Sequence, residues 1–140
     1  MYNLLAFDIE CGNSDDTEPM GTVANRVTVL VVDDNPGVRA TAVDMFRALG
    51  FDVYDAYNGA DALNMLAAHR EISLLFADVR MPGMSGTELA EEARVIRPDL
   101  KIVLTSGYVD GPPVKNLPFL RKPYRVSDLA ALVMHPGAPN

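Results

Sequence analysis

Residue types that build several classes of protein are scarce in this chain of 140 residues. The single cysteine, Cys11, cannot form a disulfide within the chain, which favours a reducing, intracellular setting. The two histidines, His69 and His135, have no cysteine or histidine partner at metal-ligand spacing, which argues against a zinc site. No apolar run approaches about 18 residues, so no membrane span is predicted.

The first 25 residues contain five acidic residues and neither lysine nor arginine. Because no basic segment precedes the apolar start at residues 1–7, no signal peptide is predicted, and we expect a cytoplasmic protein. Residues 12–25 are polar and lack a periodic pattern, so residues 1–25 are predicted to be a disordered extension. The rest of the chain has 14 acidic and 12 basic residues and no basic stripe, so nucleic acid is not an expected partner.

Beyond this extension, short apolar runs alternate with amphipathic patterns. Strands are predicted at residues 27–32, 52–56, 72–77, 101–105 and 118–120, and helices at about 36–49, 58–69, 85–97 and 127–134. Strict alternation of strands and helices implies one α/β domain, in which helices cover both faces of a parallel sheet. In such a fold, ligands bind beyond the carboxyl ends of the strands.

Individual residues are predicted to set the ends of the helices. Gly50 follows the first helix as a C-terminal glycine. Ser85 and Glu88 have the spacing of a capping box for the third helix, and Ile96 is predicted to be buried on its inner face. Ser127 is predicted to cap the last helix.

The segment between the fourth and fifth predicted strands breaks the alternation. It contains two glycines and three prolines, at positions 107, 111, 112, 113 and 118. These residues leave no room for a regular helix. A loop or a single turn is therefore predicted where a fourth helix would be expected.

Charged residues follow three of the predicted strands. Asp33 and Asp34 come directly after the first strand, and Asp78 comes directly after the third. Adjacent carboxylates repel each other unless a cation or a proton offsets their charge. Lys122 lies just past the last strand. Three acids and a lysine at strand ends predict a site for a divalent cation and a phosphoryl group.

Four motifs resemble those of the CheY-like receiver domain of two-component response regulators. They are VLVVDDNPGVR (29–39), LLFADVRMPGMSG (74–86), IVLTSGY (102–108) and FLRKPY (119–124). The resemblance implies a receiver domain over residues 26–136, with residues 137–140 as a tail. It also implies a doubly wound, flavodoxin-like, five-stranded parallel sheet of order 2-1-3-4-5. The fourth helix of that fold would be short or absent here.

The resemblance assigns a role to each charged residue at the strand ends. It makes Asp78 the acceptor of a phosphoryl group and pairs Lys122 with that group or with Asp78. Asp34 would bind Mg²⁺ directly and Asp33 through a water molecule. Asp78 and the backbone carbonyl of Arg80 would be further ligands of the metal.

Two more residues would report the phosphorylated state. The resemblance implies that Thr105 bonds a phosphoryl oxygen on activation. Phe119 occupies the position of a switch aromatic residue, where tyrosine is frequent. Because Phe119 has no hydroxyl, packing alone would drive any inward rotation of its ring.

The implied function is that of a phosphorylation-dependent binding switch without separate substrate turnover. The partners would be a sensor histidine kinase (hybrid, or acting through a histidine phosphotransfer protein) and an unknown downstream protein. Only six residues follow the last predicted helix, so we expect a stand-alone receiver. We expect this receiver to be a monomer or a weak dimer. A membrane is not an expected partner.

Three alternatives stay open from the sequence. The protein could pass the phosphoryl group on as a sink or relay, or it could be a receiver fold kept as a non-phosphorylated scaffold. A Mg²⁺-dependent phosphohydrolase would also use an aspartyl phosphate. The phosphohydrolase is disfavoured, because residues 33–35 read Asp-Asp-Asn rather than D-x-D and no cap domain follows.

Overall fold

A computed structural model describes residues 27–107 and 117–133. The strands are β1 (Thr28–Val32), β2 (Asp52–Ala56), β3 (Ile72–Asp78), β4 (Lys101–Ser106) and β5 (Phe119–Arg121). The helices of this part are α1 (Pro36–Ala48), α2 (Gly59–Ala68), α3 (Gly86–Ile96) and α4 (Val126–Val133). The predicted extension, the predicted loop at 108–116 and the C-terminal tail lie outside the described residues.

The five strands form one parallel sheet of order β2-β1-β3-β4-β5, as the resemblance implies. The chain runs from β1 to β2 at one edge and then crosses to β3 on the other side of β1. The direction of winding therefore reverses between β1 and β3. Ligands of doubly wound sheets bind at such a switch point, outside the carboxyl ends of the strands.

Both faces of the sheet are buried, which explains why its central strands are continuous apolar runs. Leu30 and Val32 of β1 face the core under α2 and α3, whereas Val29 and Val31 face the core under α1 and α4. On the α1 side, the Phe46 ring packs edge-on against two other phenylalanine rings, with centroids 5.2 and 5.1 Å away. These buried faces fix the strands and leave the strand ends free for polar residues.

The predicted helix signals are largely confirmed. Gly50 follows α1 with a φ of 91°, a conformation that favours glycine. In α3, the Glu88 N–H donates to Ser85 Oγ at 3.1 Å, and the Ser85 N–H donates to Glu88 Oε1 at 3.0 Å. This reciprocal pair is the predicted capping box. Within the described residues, no helix has the length and apolar character that crossing a bilayer requires.

Two predictions about helix ends are wrong. Ile96 is 48% exposed rather than buried. It is the last residue of α3 and lies outside the apolar core, and the adjacent Arg97 guanidinium makes polar contacts there with the carbonyls of Arg70 and Ile72.

Ser127 does not cap the last helix, because α4 already begins at Val126. The carboxylate of Asp128 instead accepts the N–H of Arg125 at 2.9 Å. A negative charge in the first turn of a helix also interacts favourably with the helix dipole. An acidic side chain inside the first turn therefore binds the backbone N–H that precedes the helix, and Ser127 has no capping role.

Candidate functional site

The sheet brings the three predicted acids together. Asp33 follows β1 directly and Asp78 is the last residue of β3, so the two lie at neighbouring strand ends. Asp33, Asp34 and Asp78 each offer a carboxylate oxygen within 4.8 Å of the others. Asp33 and Asp78 are only 4% and 6% exposed, whereas Asp34 is exposed. Two of the three carboxylates are therefore largely shielded from bulk water.

Lys122 supplies positive charge to this acidic cluster. Its Nζ lies 3.2 Å from Asp33 Oδ2 and 3.4 Å from Asp78 Oδ1. The backbone N–H of Lys122 donates to the carbonyl of Ser106 at 2.9 Å, which ties the residue to β4. The Lys122–Pro123 peptide bond is cis. The order of the parallel strands therefore brings Lys122 next to the acids, as the sequence predicted.

Burial raises the pKa of Asp78 above its ordinary value. The neighbouring Lys122 ammonium opposes this rise, and the Asp33 carboxylate adds to it. The N–H of Arg80 donates to the Asp78 carboxylate and also lowers its pKa, but the net shift is upward. Lys122 therefore compensates only part of the unfavourable burial of negative charge.

Replacing Asp78 by asparagine should stabilise the protein at neutral pH. When a carboxyl has a higher pKa in the folded than in the unfolded state, stability falls as pH rises from the unfolded towards the folded pKa. The penalty is complete above the folded pKa, and asparagine removes it while Asp33 remains a partner for Lys122. Urea unfolding should give a higher midpoint for Asp78→Asn at about pH 7 and a smaller difference at about pH 4. A lower midpoint at neutral pH would contradict this.

Thr105 lies beside Asp78 on β4 and is almost completely buried. The two residues are register partners, and the Val79 N–H donates to the carbonyl of Thr105 at 2.9 Å. Thr105 is 2% exposed, and within residues 27–107 and 117–133 its Oγ1 has no hydrogen-bond partner. A buried hydroxyl without a partner is rare, and its presence calls for an explanation such as a ligand. An additional oxygen atom brought to Asp78 could satisfy it.

The other predicted residues have known positions but untested roles. Arg80 is exposed, and its backbone N–H contacts Asp78; a metal-ligating role for its carbonyl stays a prediction. Phe119 begins β5, where it is partly buried against the core that α2 and α3 cover. A switch role for Phe119 also stays a prediction.

Three residues of the site were missed by the sequence reasoning. Gly86 is the first residue of α3, and a Cβ there would lie 2.3 Å from the carbonyl oxygen of Asp78. Arg39 donates to the carbonyl of Asp33 at 2.8 Å. Gly86 and Arg39 are the last residues of two of the quoted motifs. Their place in these motifs was the only sign in the sequence that they belong to the site.

Tyr124 is the third missed residue and extends the site towards α4. Its ring packs edge-on against Phe76, with centroids 5.8 Å apart. Burial, followed by the charges of Asp33 and Asp78, raises its pKa to about 12. Tyr124 therefore stays neutral, and its hydroxyl lies close enough to Asp33 and Asp78 to be influenced by their charges.

The residues present fit a hard divalent cation. Mg²⁺ prefers oxygen ligands and usually takes only a few carboxylates together with water. Asp34 is exposed, so it offers the cluster a side open to water, while Asp33 and Asp78 offer buried oxygens. Within residues 27–107 and 117–133, this is the only group of three or more His, Cys, Asp or Glu side chains close enough to hold a metal ion.

Comparison with known families agrees with this geometry. The family model described as the response regulator receiver domain matches residues 29–133. The chain belongs to this family. The match contains β2 to β5, all of β1 except Thr28, and every charged residue of the acidic cluster.

Curated relatives of this receiver occur both in sensor kinases and among smaller proteins. The sensor kinase CckA of Brucella abortus is 34% identical over 79% of this chain, but the match spans only 12% of the kinase. The sporulation initiation phosphotransferase F of Bacillus subtilis is 30% identical over 57% of this chain and 64% of its own length. The response regulator receiver protein CpdR of B. abortus is 34% identical, over 72% of this chain and 88% of its own.

A solved structure supports the same fold. The crystal structure of a response regulator receiver protein from Pseudomonas putida superimposes with a TM-score of 0.69. It is 31% identical to this receiver, and the match covers 79% of this chain and 98% of the other. The doubly wound architecture of the receiver is therefore shared over nearly the whole solved domain.

Proposed function

We propose that this receiver accepts a phosphoryl group on Asp78. The observation that carries the proposal is the buried Asp78 carboxylate, 3.4 Å from the Lys122 ammonium and within 4.8 Å of two further carboxylates. Such crowding of negative charge is unfavourable for stability, as the raised pKa of Asp78 indicates. A function explains this cost: the acids can bind a cation, and the cation and Lys122 can together offset the charge of an incoming phosphoryl group.

The chemistry follows from these positions. An oxygen of the Asp78 carboxylate attacks the phosphorus of a phosphorylated histidine on a kinase or a phosphotransfer protein. The phosphorus–nitrogen bond breaks, and the leaving imidazole nitrogen keeps the electron pair and takes up a proton. Lys122 offsets the negative charge of the phosphoryl oxygens as they approach two buried acids.

Mg²⁺ is the proposed cofactor, and Asp33, Asp34, Asp78 and the carbonyl of Arg80 are its proposed ligands. When bound, the ion would neutralise charge on the phosphoryl oxygens. The set of oxygen donors and the exposed position of Asp34 support this assignment. The acids of the cluster are therefore proposed to bind the ion, and Asp78 also to react.

The proposed output is a change in protein–protein binding. Thr105 Oγ1, which has no hydrogen-bond partner among the described residues, would donate a hydrogen bond to a phosphoryl oxygen on Asp78. Movement of Thr105 would be transmitted to β5, since Thr105 pairs with Leu120 in the sheet. Phe119 neighbours this pair and is the proposed switch residue.

The partners are inferred from the relatives, and receiver domains are in general signalling modules rather than enzymes. A sensor histidine kinase, hybrid or acting through a phosphotransfer protein, is the proposed phosphoryl donor, because one relative is named a sensor kinase. We propose a receiver over residues 26–136, in keeping with the family match at 29–133. A relay role is the second candidate, because one relative is named a phosphotransferase.

Intact-mass spectrometry after incubation with acetyl phosphate and Mg²⁺ tests the proposed function. The mass should rise by one phosphoryl group, and the rise should be lost with a metal chelator or with Asp78→Asn. Asp44→Asn is the matched control, because Asp44 is an exposed acid of α1 outside the cluster. Equal labelling of the Asp78→Asn and Asp44→Asn proteins would refute Asp78 as the acceptor.

A further inference from the structure

Arg39 joins the end of β1 to the end of β2. It lies near the start of α1, where its Nη1 donates to the carbonyl of Asp33 at 2.8 Å and its Nε donates to Asp55 Oδ2 at 3.1 Å. The Arg39 side chain is 20% exposed and that of Asp55 is 52% exposed. An ion pair with a half-exposed member contributes little to stability. The bond to the Asp33 carbonyl is the contact that matters for the site.

This carbonyl lies where the chain leaves the sheet. The N–H of Asp33 still donates to the carbonyl of Ala56 at 3.3 Å, but the register of β1 with its neighbours ends at Val32. Asp33 is only 4% exposed, so its carbonyl needs a partner from within the protein. Arg39 provides that partner.

We propose that Arg39 is a positioning residue for the acidic pair. Its bond to the Asp33 carbonyl fixes the peptide between Asp33 and Asp34, and this peptide sets the direction of the Asp34 side chain. The Asp33 carboxylate is held separately, by the Asn35 N–H at 3.0 Å and by Lys122. Among the described residues, no hydrogen bond or ion pair holds the Asp34 carboxylate, so its position depends on the backbone. The inference rests on the proposed Mg²⁺ site.

Arg39 has two effects on cation binding, and they have opposite signs. Its positive charge repels a cation, so loss of the charge alone would tighten Mg²⁺ binding. Its hydrogen bond orders the peptide that carries the ligands, so loss of the bond would weaken Mg²⁺ binding. If Arg39 acts by positioning the acids, Arg39→Ala should raise the Mg²⁺ dissociation constant, although the change makes the protein more negative. The expected rise is about fivefold, the equivalent of one ordinary hydrogen bond.

Mg²⁺ titrations of the full chain, followed by backbone amide NMR at constant ionic strength, measure this effect. Arg39→Ala should weaken binding about fivefold. Arg39→Lys keeps the charge but cannot form both directed bonds, so it should also weaken binding. Arg47→Ala is the matched control, because it removes the same charge from an exposed position in the last turn of the same helix. It should leave binding unchanged or slightly tighter.

The outcomes separate this inference from the proposed function. Arg39→Ala protein that binds Mg²⁺ as tightly as the unaltered protein, or more tightly, overturns the positioning role. So does a lowered melting temperature with an unchanged dissociation constant, because that result shows a purely structural role. Full binding by Arg39→Lys would show that the directed bonds of the guanidinium group are not needed, and it also overturns the positioning role. Absence of Mg²⁺ binding by the unaltered protein would overturn the proposed function itself.

Discussion

Replacement of Lys122 by methionine is expected to lower the free energy of unfolding at neutral pH by about 2–3 kcal/mol. Removing one member of a buried ion pair typically costs about 3–5 kcal/mol, because the other charge stays buried without compensation. The Lys122 side chain is 23% exposed, so solvent screening reduces the expected loss below that range. Its partners, Asp33 and Asp78, have side chains only 6% and 9% exposed.

The loss caused by Lys122→Met should shrink in acid, because burial raises the pKa of Asp78 and a protonated Asp78 no longer needs a cation. Adding Asp33→Asn to Lys122→Met should restore part of the stability, since one of the two uncompensated charges is gone. Urea unfolding across pH measures both effects.

Lys101→Met is the control for this experiment. Burial lowers the pKa of Lys101, and this lysine forms no ion pair within the described residues, so its removal should cost little. Equal losses from Lys101→Met and Lys122→Met would show that the acidic cluster does not depend on its lysine. The labelling of Asp78 by acetyl phosphate should fall strongly only in the Lys122 variant.

The acids of the site could be predicted because a buried parallel strand leaves a local trace in sequence. β1 is apolar on both faces, so the first polar residues after it, Asp33 and Asp34, mark its carboxyl end. Asp78 ends β3 in the same way. The strand order then brings these ends together, although the order itself came from the family resemblance rather than from the pattern.

The residues that hold the acids in place could not be predicted, because their contacts span the fold. Arg39 looks like any surface arginine on a helix until β2 brings Asp55 within 3.1 Å. Ile96 lies two helical turns after Leu89, so periodicity places both on the same face of α3. Ile96 nevertheless lies beyond the core, next to the polar contacts of Arg97. Periodicity in the sequence identifies the apolar face of a helix, but it does not show which residues of other elements pack against each position on that face.

Gly86→Ala is expected to destabilise the protein by about 2–3 kcal/mol, an overpacking effect at the upper end of the usual range. An added Cβ would lie 2.3 Å from the carbonyl oxygen of Asp78 and 2.9 Å from Val79 Cα. Both atoms belong to the backbone, which cannot turn aside as a flexible side chain can. The N–H of Gly86 also donates to the carbonyl of Val79 at 3.0 Å, which holds the two segments together.

The same change should move the Asp78 peptide and lower phosphoryl acceptance, so stability and labelling should fall together in Gly86→Ala. Gly37→Ala is the matched control: its Cβ would lie 3.4 Å from Asn35 Oδ1, and alanine is the better helix former. That variant should be as stable as the unaltered protein or more stable by up to about 1 kcal/mol. If Gly86→Ala unfolded at the same denaturant concentration as Gly37→Ala, the close approach of α3 to the phosphoacceptor peptide would have no energetic consequence.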